Sequence, residues 1–406
     1  MLLTGRFVPS IINIWNDNPY ISRNLWSSNL MIKRYYDLEK LIKPGKVLII
    51  YGPRRVGKTT LLSDFLLHTK LKYKLDSGDN IQVQQILGSQ DFSQIEEYAI
   101  GYELIAIDEA QQIPNIGMGL KILVDQLPEL RIIATGSSSF DLSQKVGEPL
   151  TGRKKTLTLF PFSQTELSEK YNKFEIKQNL EDFLIFGSYP EIITAKSRKE
   201  KIDLLNELTN SYLLKDIFTL ERIKGSKQLL NLLKLLSFQI GSEVSLNELA
   251  TQVHLDIKTV GKYLDILEKA FVLKRVGAFS RNLRKEISGK AKYYFYDNGV
   301  RNAVISQFNS LNNRNDIGHL FENFIVMERL KDNAYKTRSG SSYFWRTYDG
   351  QEIDLIEEKN GKLYGFEIKW SSKAKIKKPK DWLKNYKNAD YKIINQENYL
   401  DFIGVK

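Results

Sequence analysis

The sequence contains no cysteine, which excludes disulfide staples, thiolate nucleophiles and cysteine-based zinc sites. Histidine is nearly as scarce: His68, His254 and His319 stand far apart, without the spacing of a metal site. Long apolar runs are missing as well. Nothing approaches the roughly 18 consecutive apolar residues of a membrane span, and Arg6, Asn13 and Asp17 interrupt the segment where a signal-peptide core would lie. A cytoplasmic chain with no membrane partner is expected. Acidic charge is in deficit, with 48 Asp and Glu against 60 Lys and Arg, for a formal net charge of +12. So large an excess of base favours an anionic partner. DNA is the leading candidate and a plain basic surface the alternative. The remainder is globular, 42% hydrophobic and 27% charged, and 406 residues suggest two to four domains.

The most informative stretch runs from Val47 to Leu62. The apolar run Val47 to Tyr51 reads as a buried strand, and Leu61, Leu62, Phe65 and Leu66 mark one face of a following helix. Between them lies Gly52-Pro53-Arg54-Arg55-Val56-Gly57-Lys58-Thr59-Thr60, a loop of the form G-x-x-x-x-G-K-T. Its glycines allow successive backbone N–H groups to converge on phosphate oxygens at the positive end of the helix. Lys58 is expected to reach the β- and γ-phosphates of ATP, and Thr59 the accompanying Mg²⁺. The spacing does not distinguish ATP from GTP.

Downstream, short apolar runs alternate with helical ones in a βαβ rhythm. Strands are expected at 47–51, 71–76, 103–107, 131–135 and 155–160, and helices at 58–69, near 80–99 and at 117–127, giving a five-stranded, mostly parallel sheet. The strand Leu104 to Ile107 delivers Asp108 and Glu109 at its carboxyl end. Asp108 is expected to hold Mg²⁺ through water and Glu109 to act as general base towards the attacking water. At the end of the next strand, Thr135 or Ser137 could sense the γ-phosphate; a plain Ser-Gly turn would look the same.

Six segments together resemble a large prokaryotic family of AAA-type ATPases, in which a P-loop module precedes a C-terminal region of unassigned function. They are Gly52–Thr59, Ile107–Ala110, Thr135–Ser138, Leu150–Arg153, Phe186–Glu191 and Lys292–Asp297, and the likeness runs from about residue 30 to about 370. The resemblance implies an α/β P-loop NTPase core of the ASCE/AAA-like kind, followed by a helical lid, a winged helix and a small α/β nuclease-like domain. It also makes Arg153 a candidate arginine finger, acting in trans within a homo-oligomer. The implied boundaries are 1–45 for an N-terminal brace, with an amphipathic helix over 31–42, and 46–162 for the ATPase core. The lid takes 163–225, the winged helix 226–300 and the nuclease-like domain 301–406.

Within the lid, helices are expected at 163–171, 178–186 and 199–222, with Gly187-Ser-Tyr-Pro190 as a turn. From 245 onward the spacing suits two short helices: Ser245 and Glu248 form a capping box, and Asp256 caps a second helix whose inward face is Ile257, Val260, Leu264 and Leu267. A wing over 271–279 would complete the fold. Lys258, Thr259 and Lys262 would then face outward, able to meet DNA phosphate, although a packing module would look alike. The basic residues Lys274, Arg275, Arg281, Arg284, Lys285, Lys290 and Lys292 favour DNA. In the last region, Asp354 and Glu367-Ile-Lys369 on successive strands look like a restriction-endonuclease core. Strand alternation puts Glu367 and Lys369 on one side, and Glu322 would join them from a helix. Asp354, Glu367 and Glu322 are thus candidate ligands of a second Mg²⁺, with Lys369 orienting hydroxide. The alternative is a nuclease fold without metal chemistry, in a nucleotide-gated protein that binds other proteins.

Overall fold

The computed structural model describes residues 31–136, 149–213, 226–279, 290–338, 340–347, 350–373 and 378–405. The chain divides into Met1–Lys33, of which only 31–33 are described, and a larger unit, Arg34–Lys406. The helix expected over 31–42 is a single turn, α1 (Leu38–Leu41), after which Ile42 is extended. Pro44 bars any continuation, because it drives Lys43, the residue before it, out of helical geometry.

The first half then follows the expected rhythm closely: β1 (Lys46–Tyr51), α2 (Lys58–His68), β2 (Tyr73–Ser77), α3 (Ile81–Gly88), α4 (Phe92–Ala99), β3 (Leu104–Asp108), α5 (Ile116–Gln126), β4 (Arg131–Gly136) and β5 (Lys154–Thr158). The strands form one all-parallel sheet in the order β2-β3-β4-β1-β5. Its central strands read as unbroken apolar runs because both faces are covered; Ile49, Ile105 and Ile133 are fully buried. Parallel pairing has a functional consequence. It gathers the carboxyl ends of β1, β3 and β4 along one edge, where the sequence places the glycine loop, Asp108-Glu109 and Thr135.

Five short helices follow: α6 (Gln164–Leu167), α7 (Lys173–Gln178), α8 (Leu180–Phe186), α9 (Pro190–Thr194) and α10 (Arg198–Glu207). The helix expected over 163–171 is only one turn, opened by a capping box between Ser163 and Glu166. Helix α10 passes into a π-helical turn, Leu208–Leu213, and the rest of the helix expected to 222 lies outside the described residues.

Next come α11 (Ser226–Phe238), β6 (Glu243–Val244), α12 (Leu246–Val253), α13 (Ile257–Lys269), β7 (Leu273–Ala278) and β8 (Ala291–Phe295). Ser245 and Asp256 cap α12 and α13 as expected, accepting from Glu248 N and Thr259 N. The segment 271–279 supplies one strand rather than a hairpin. Its antiparallel partner is β8, reached only after residue 290.

The chain ends with α14 (Asn298–Val304), α15 (Ile317–Tyr335), β9 (Ser342–Arg346), β10 (Glu352–Lys359), β11 (Lys362–Ile368), α16 (Lys380–Asn385), β12 (Asp390–Ile394) and α17 (Tyr399–Phe402). Seven strands make the second sheet, in the order β12-β11-β10-β9-β7-β8-β6. The join is the parallel pair β7 and β9, with Gly277 opposite Tyr343 and Ala278 opposite Phe344. One sheet therefore runs across residue 300. Trp345, Ile353, Ile356, Leu363 and Trp382 form a core on its C-terminal part.

Candidate functional site

The loop after β1 is shaped by a close approach. Leu159 N donates to Tyr51 O at 2.7 Å, and a Cβ at Gly52 would stand 2.1 Å from Leu159 O, so no side chain fits there. Gly52 also sits at φ +154. Lys58, the first residue of α2, is buried, and its Nζ donates to Gly52 O and Pro53 O at 2.9 Å each. The ammonium is thus held over the loop, where phosphate oxygens would compete for the same donors. Thr59 Oγ1 donates to Asp108 Oδ2 at 2.7 Å, and Thr135 Oγ1 donates to Asp108 Oδ1. Two strand ends and the first turn of α2 therefore meet at one carboxylate. The hydroxyl-and-carboxylate donor set of Thr59 and Asp108 fits Mg²⁺, a hard cation that takes oxygen ligands.

Glu109 adopts left-handed backbone, φ 50, which is strained for a glutamate and sets its side chain apart from the strand direction. Its N–H donates to Thr135 Oγ1 at 3.2 Å, and Gln111 Nε2 donates to its carboxylate. Burial pushes the Glu109 carboxyl up from its ordinary value and the Asp108 charge adds to that, with Lys58 opposing. Thr135 is fully buried at this junction, and Ser137 lies outside the described residues. Gln111 gave no signal beyond its position two residues after Glu109.

Arg55 and Arg153 point elsewhere. Arg55, at φ 62, turns its guanidinium to the lid, with Nη1 2.9 Å from Glu191 of α9 and Nη2 2.9 Å from Glu207 of α10. The loop is therefore pinned directly to the helices that follow the sheet. Arg153 accepts from Val47 N through its carbonyl at 2.9 Å, which puts it at the amino-terminal edge of β1, and its Nε lies 2.6 Å from Asp125. Six residues of strand separate that edge from the loop, about 20 Å. Arg153 therefore stands at the opposite end of β1 from its own chain's glycine loop.

The strand end that crosses Gly52 continues into a buried junction with α15. Gln164 N donates to Glu328 at 2.6 Å, Lys331 Nζ donates to Phe162 O at 3.2 Å and pairs with Glu328 at 2.7 Å, and Tyr335 OH donates to Glu166 at 3.0 Å. Gly187 closes the other side: at φ +73 it lies where a Cβ would overlap the Asp297 carboxylate, which accepts from Ser188 N at 2.8 Å. Burial raises both Asp297 and Glu328 above the usual carboxylate range, against the pull of Lys331.

Nine residues before Lys331 on the same helix, Glu322 enters a second cluster. It meets Asp354 of β10 and Glu367 and Lys369 at the end of β11, so the four residues singled out in the sequence do converge. Lys369 Nζ is 2.6 Å from Glu367 and 3.7 Å from Asp354, and Ile368 N donates to Asp354 Oδ2 at 2.8 Å. Burial, reinforced by the Asp354 charge, raises both Glu322 and Glu367. The centre of the cluster is a residue placed in the basic run. Lys292 Nζ, on β8, lies 2.7 Å from Glu352, 3.2 Å from Glu322 and 3.5 Å from Asp354. Among the described residues, no group of three or more His, Cys, Asp or Glu is arranged to hold a metal ion.

The outward face of α13 carries Lys258 and Lys262, both exposed, while Thr259 is engaged by its cap Asp256. The basic run is largely neutralised where it is described: Lys274 pairs with Glu268 at 2.7 Å, Lys290 with Glu243 at 2.9 Å, and Lys292 is buried. Arg281, Arg284 and Lys285 lie outside the described residues. Among the described residues, no helix is long and apolar enough to cross a membrane.

A glycine loop after β1, paired acids after β3 and an all-parallel β2-β3-β4-β1-β5 sheet define a P-loop ATPase module of the AAA type. Comparison with known proteins places it there by sequence: residues 44–168 match the AAA domain family, whereas 177–311 and 317–401 match two domains of unknown function. An uncharacterized protein of Mycobacterium tuberculosis is 26% identical over 346 residues, covering 84% of this chain and 74% of that one. An uncharacterized protein of Haemophilus influenzae is 27% identical over 360 residues, covering 82% and 85%. Among solved structures, a signal transduction ATPase with numerous domains and a tetratricopeptide repeat sensor, from Pyrococcus horikoshii, aligns at 14% identity and TM-score 0.30. The alignment takes in 77% of this chain, which spans about half (48%) of that one. AMPPCP-bound DnaA from Aquifex aeolicus aligns at 17% identity and TM-score 0.25, over 58% of this chain and 84% of that one.

Proposed function

We propose that this chain is a Mg²⁺-dependent, ATP-hydrolysing switch whose nucleotide state is passed to its C-terminal half. The observation that supports it most is the meeting of Thr59, Thr135 and Asp108 beside Lys58 and Glu109. Lys58 would leave the loop carbonyls for the β- and γ-phosphates, and the backbone from Gly52 to Thr60 would cradle them. Thr59 and Asp108 would hold Mg²⁺, which when bound neutralises charge on the phosphates. Glu109 would take a proton from the attacking water; Gln111 holds its carboxylate and Thr135 its backbone N–H. Arg153 acts, on this reading, on the site of a neighbouring subunit.

Two connections support transmission. Arg55 ties the loop to α9 and α10, and Leu159, which crosses Gly52, leads within five residues to the grip of Gln164 on Glu328. Beyond that junction, the order α11-β6-α12-α13-β7-β8 is that of a winged helix, and Lys258 and Lys262 offer it a phosphate-facing surface. DNA is the partner this favours. A second reading, a protein partner, is favoured by the neutralised Lys274 and Lys290.

ATPase assays with and without single- and double-stranded DNA test both. Mg²⁺-dependent turnover lost in Lys58→Ala is expected, and DNA affinity should fall steeply with salt. Unchanged turnover in that variant contradicts the ATPase reading. A flat salt dependence, with protein but no nucleic acid captured by Glu109→Gln in ATP, moves the partner to the second reading.

A further inference from the structure

We propose that Lys292 is the resident cation of the Glu322–Glu352–Asp354 cluster, standing where a second divalent metal would have to sit, so that this nuclease-like scaffold holds no metal. The inference concerns a site the nucleotide does not touch, and it survives or fails independently of the ATPase reading.

An ammonium has three N–H donors and no acceptor. Three carboxylates surround Lys292 Nζ, at 2.7, 3.2 and 3.5 Å, so its donors are fully engaged. The oxygens a metal would need are committed around it. Glu322 Oε1, which faces Lys292, also accepts from Tyr294 OH at 2.7 Å, and Asp354 Oδ2 accepts from Ile368 N at 2.8 Å. Glu367, the remaining expected ligand, is paired with Lys369 at 2.6 Å. Mg²⁺ demands oxygens at about 2.0–2.1 Å in near-octahedral array and repels an ammonium at the same place.

Lys292 cannot easily withdraw. Its side chain is only 2% exposed, and its backbone is paired on both sides, opposite Val276 of β7 and Glu243 of β6. The Phe344 ring, 5.6 Å from Nζ, closes a further side. The expected metal ligands and the lysine that replaces the metal come from different segments, α15 and β10 on one hand and β8 on the other. Their ion pairs therefore fasten the paired strands β7 and β8 to the C-terminal scaffold, as well as occupying the site.

Mn²⁺ binding to the full chain without nucleotide, followed by electron paramagnetic resonance, tests this. Wild type and Asp354→Asn should bind Mn²⁺ identically, because no ion sits at Asp354. Lys292→Met, which keeps an unbranched side chain one atom shorter and removes its charge, should gain one Mn²⁺ per chain. Adding Asp354→Asn to it should weaken that ion by roughly ten-fold or more. An Mn²⁺ site in wild type that is lost in Asp354→Asn overturns the proposal, as does a folded Lys292→Met that gains no ion. Should Lys292→Met fail to fold, the comparison of wild type with Asp354→Asn decides alone.

Discussion

Two regions of this molecule each gather a lysine and several carboxylates at strand ends, yet the groups that meet those carboxylates differ. At the first sheet, Asp108 is met by hydroxyls, Thr59 and Thr135, and Lys58 lies on loop carbonyls. Hydroxyl and carboxylate oxygens can both ligate a hard cation, so this donor set fits the metal-bound polyphosphate proposed for it. At the second sheet, Glu322 and Asp354 are met by an ammonium, which can satisfy a carboxylate but never coordinate a metal. The same acid-and-lysine composition thus gives a binding site in one place and a closed charge cluster in the other. The partner of the carboxylate, rather than the carboxylate, decides which.

The largest effect should come from breaking the open site. Lys58→Ala removes the ammonium held over the loop and should lower ATP turnover by about 10³-fold, read as phosphate release. Breaking the closed cluster should instead be felt in stability. Lys292→Met leaves buried carboxylates unpaired and should cost about 3–5 kcal/mol in urea unfolding, with part recovered in Lys292→Met/Glu322→Gln because that change also removes an uncompensated charge. The same mutation at the open site's lysine should cost far less stability, which sharpens the contrast.

A smaller, pH-dependent effect belongs to Glu357 of β10, just beyond the closed cluster. Burial raises its pKa, but Arg329, at 2.8 and 2.9 Å, together with Lys359 and Asn333, lowers it further, to about 2. A depressed carboxylate stabilises the fold above its unfolded pKa and loses that contribution as pH falls towards its folded value. About 3 kcal/mol should therefore disappear between pH 5 and pH 2. Glu357→Gln should flatten that part of the acid-unfolding curve. The smallest effect is Arg55→Ala: its two ion pairs are partly exposed, so stability should change by about 1 kcal/mol or less, while ATP affinity responds because the loop is released from α9 and α10.

The first sheet was legible almost residue for residue, because its strands are unbroken apolar runs and its functional residues sit at strand ends fixed by local spacing. The convergence of Glu322, Asp354, Glu367 and Lys369 was legible for a similar reason: strand alternation put two of them on one side and successive strands supplied the others. Lys292 was not. It opens the apolar run Tyr293-Tyr294-Phe295 within a basic stretch, and the carboxylates that bury it lie 30 and 62 residues downstream. Within 271–279 only the strand β7 forms, because its antiparallel partner β8 begins at Ala291 and its parallel partner β9 at Ser342. The helix expected over 163–171 stopped after one turn, where Gln164 and Glu166 turn to contacts with Glu328 and Tyr335 rather than continuing a helical face.

The central claim is that Glu109 performs the proton transfer at a site that binds ATP without it. Binding and turnover measured on one preparation of Glu109→Gln test this most directly. ATP affinity within about two-fold of wild type, with turnover reduced by about 10²-fold or more, is the expected result. Turnover equal to wild type, with ATP still bound, would contradict it.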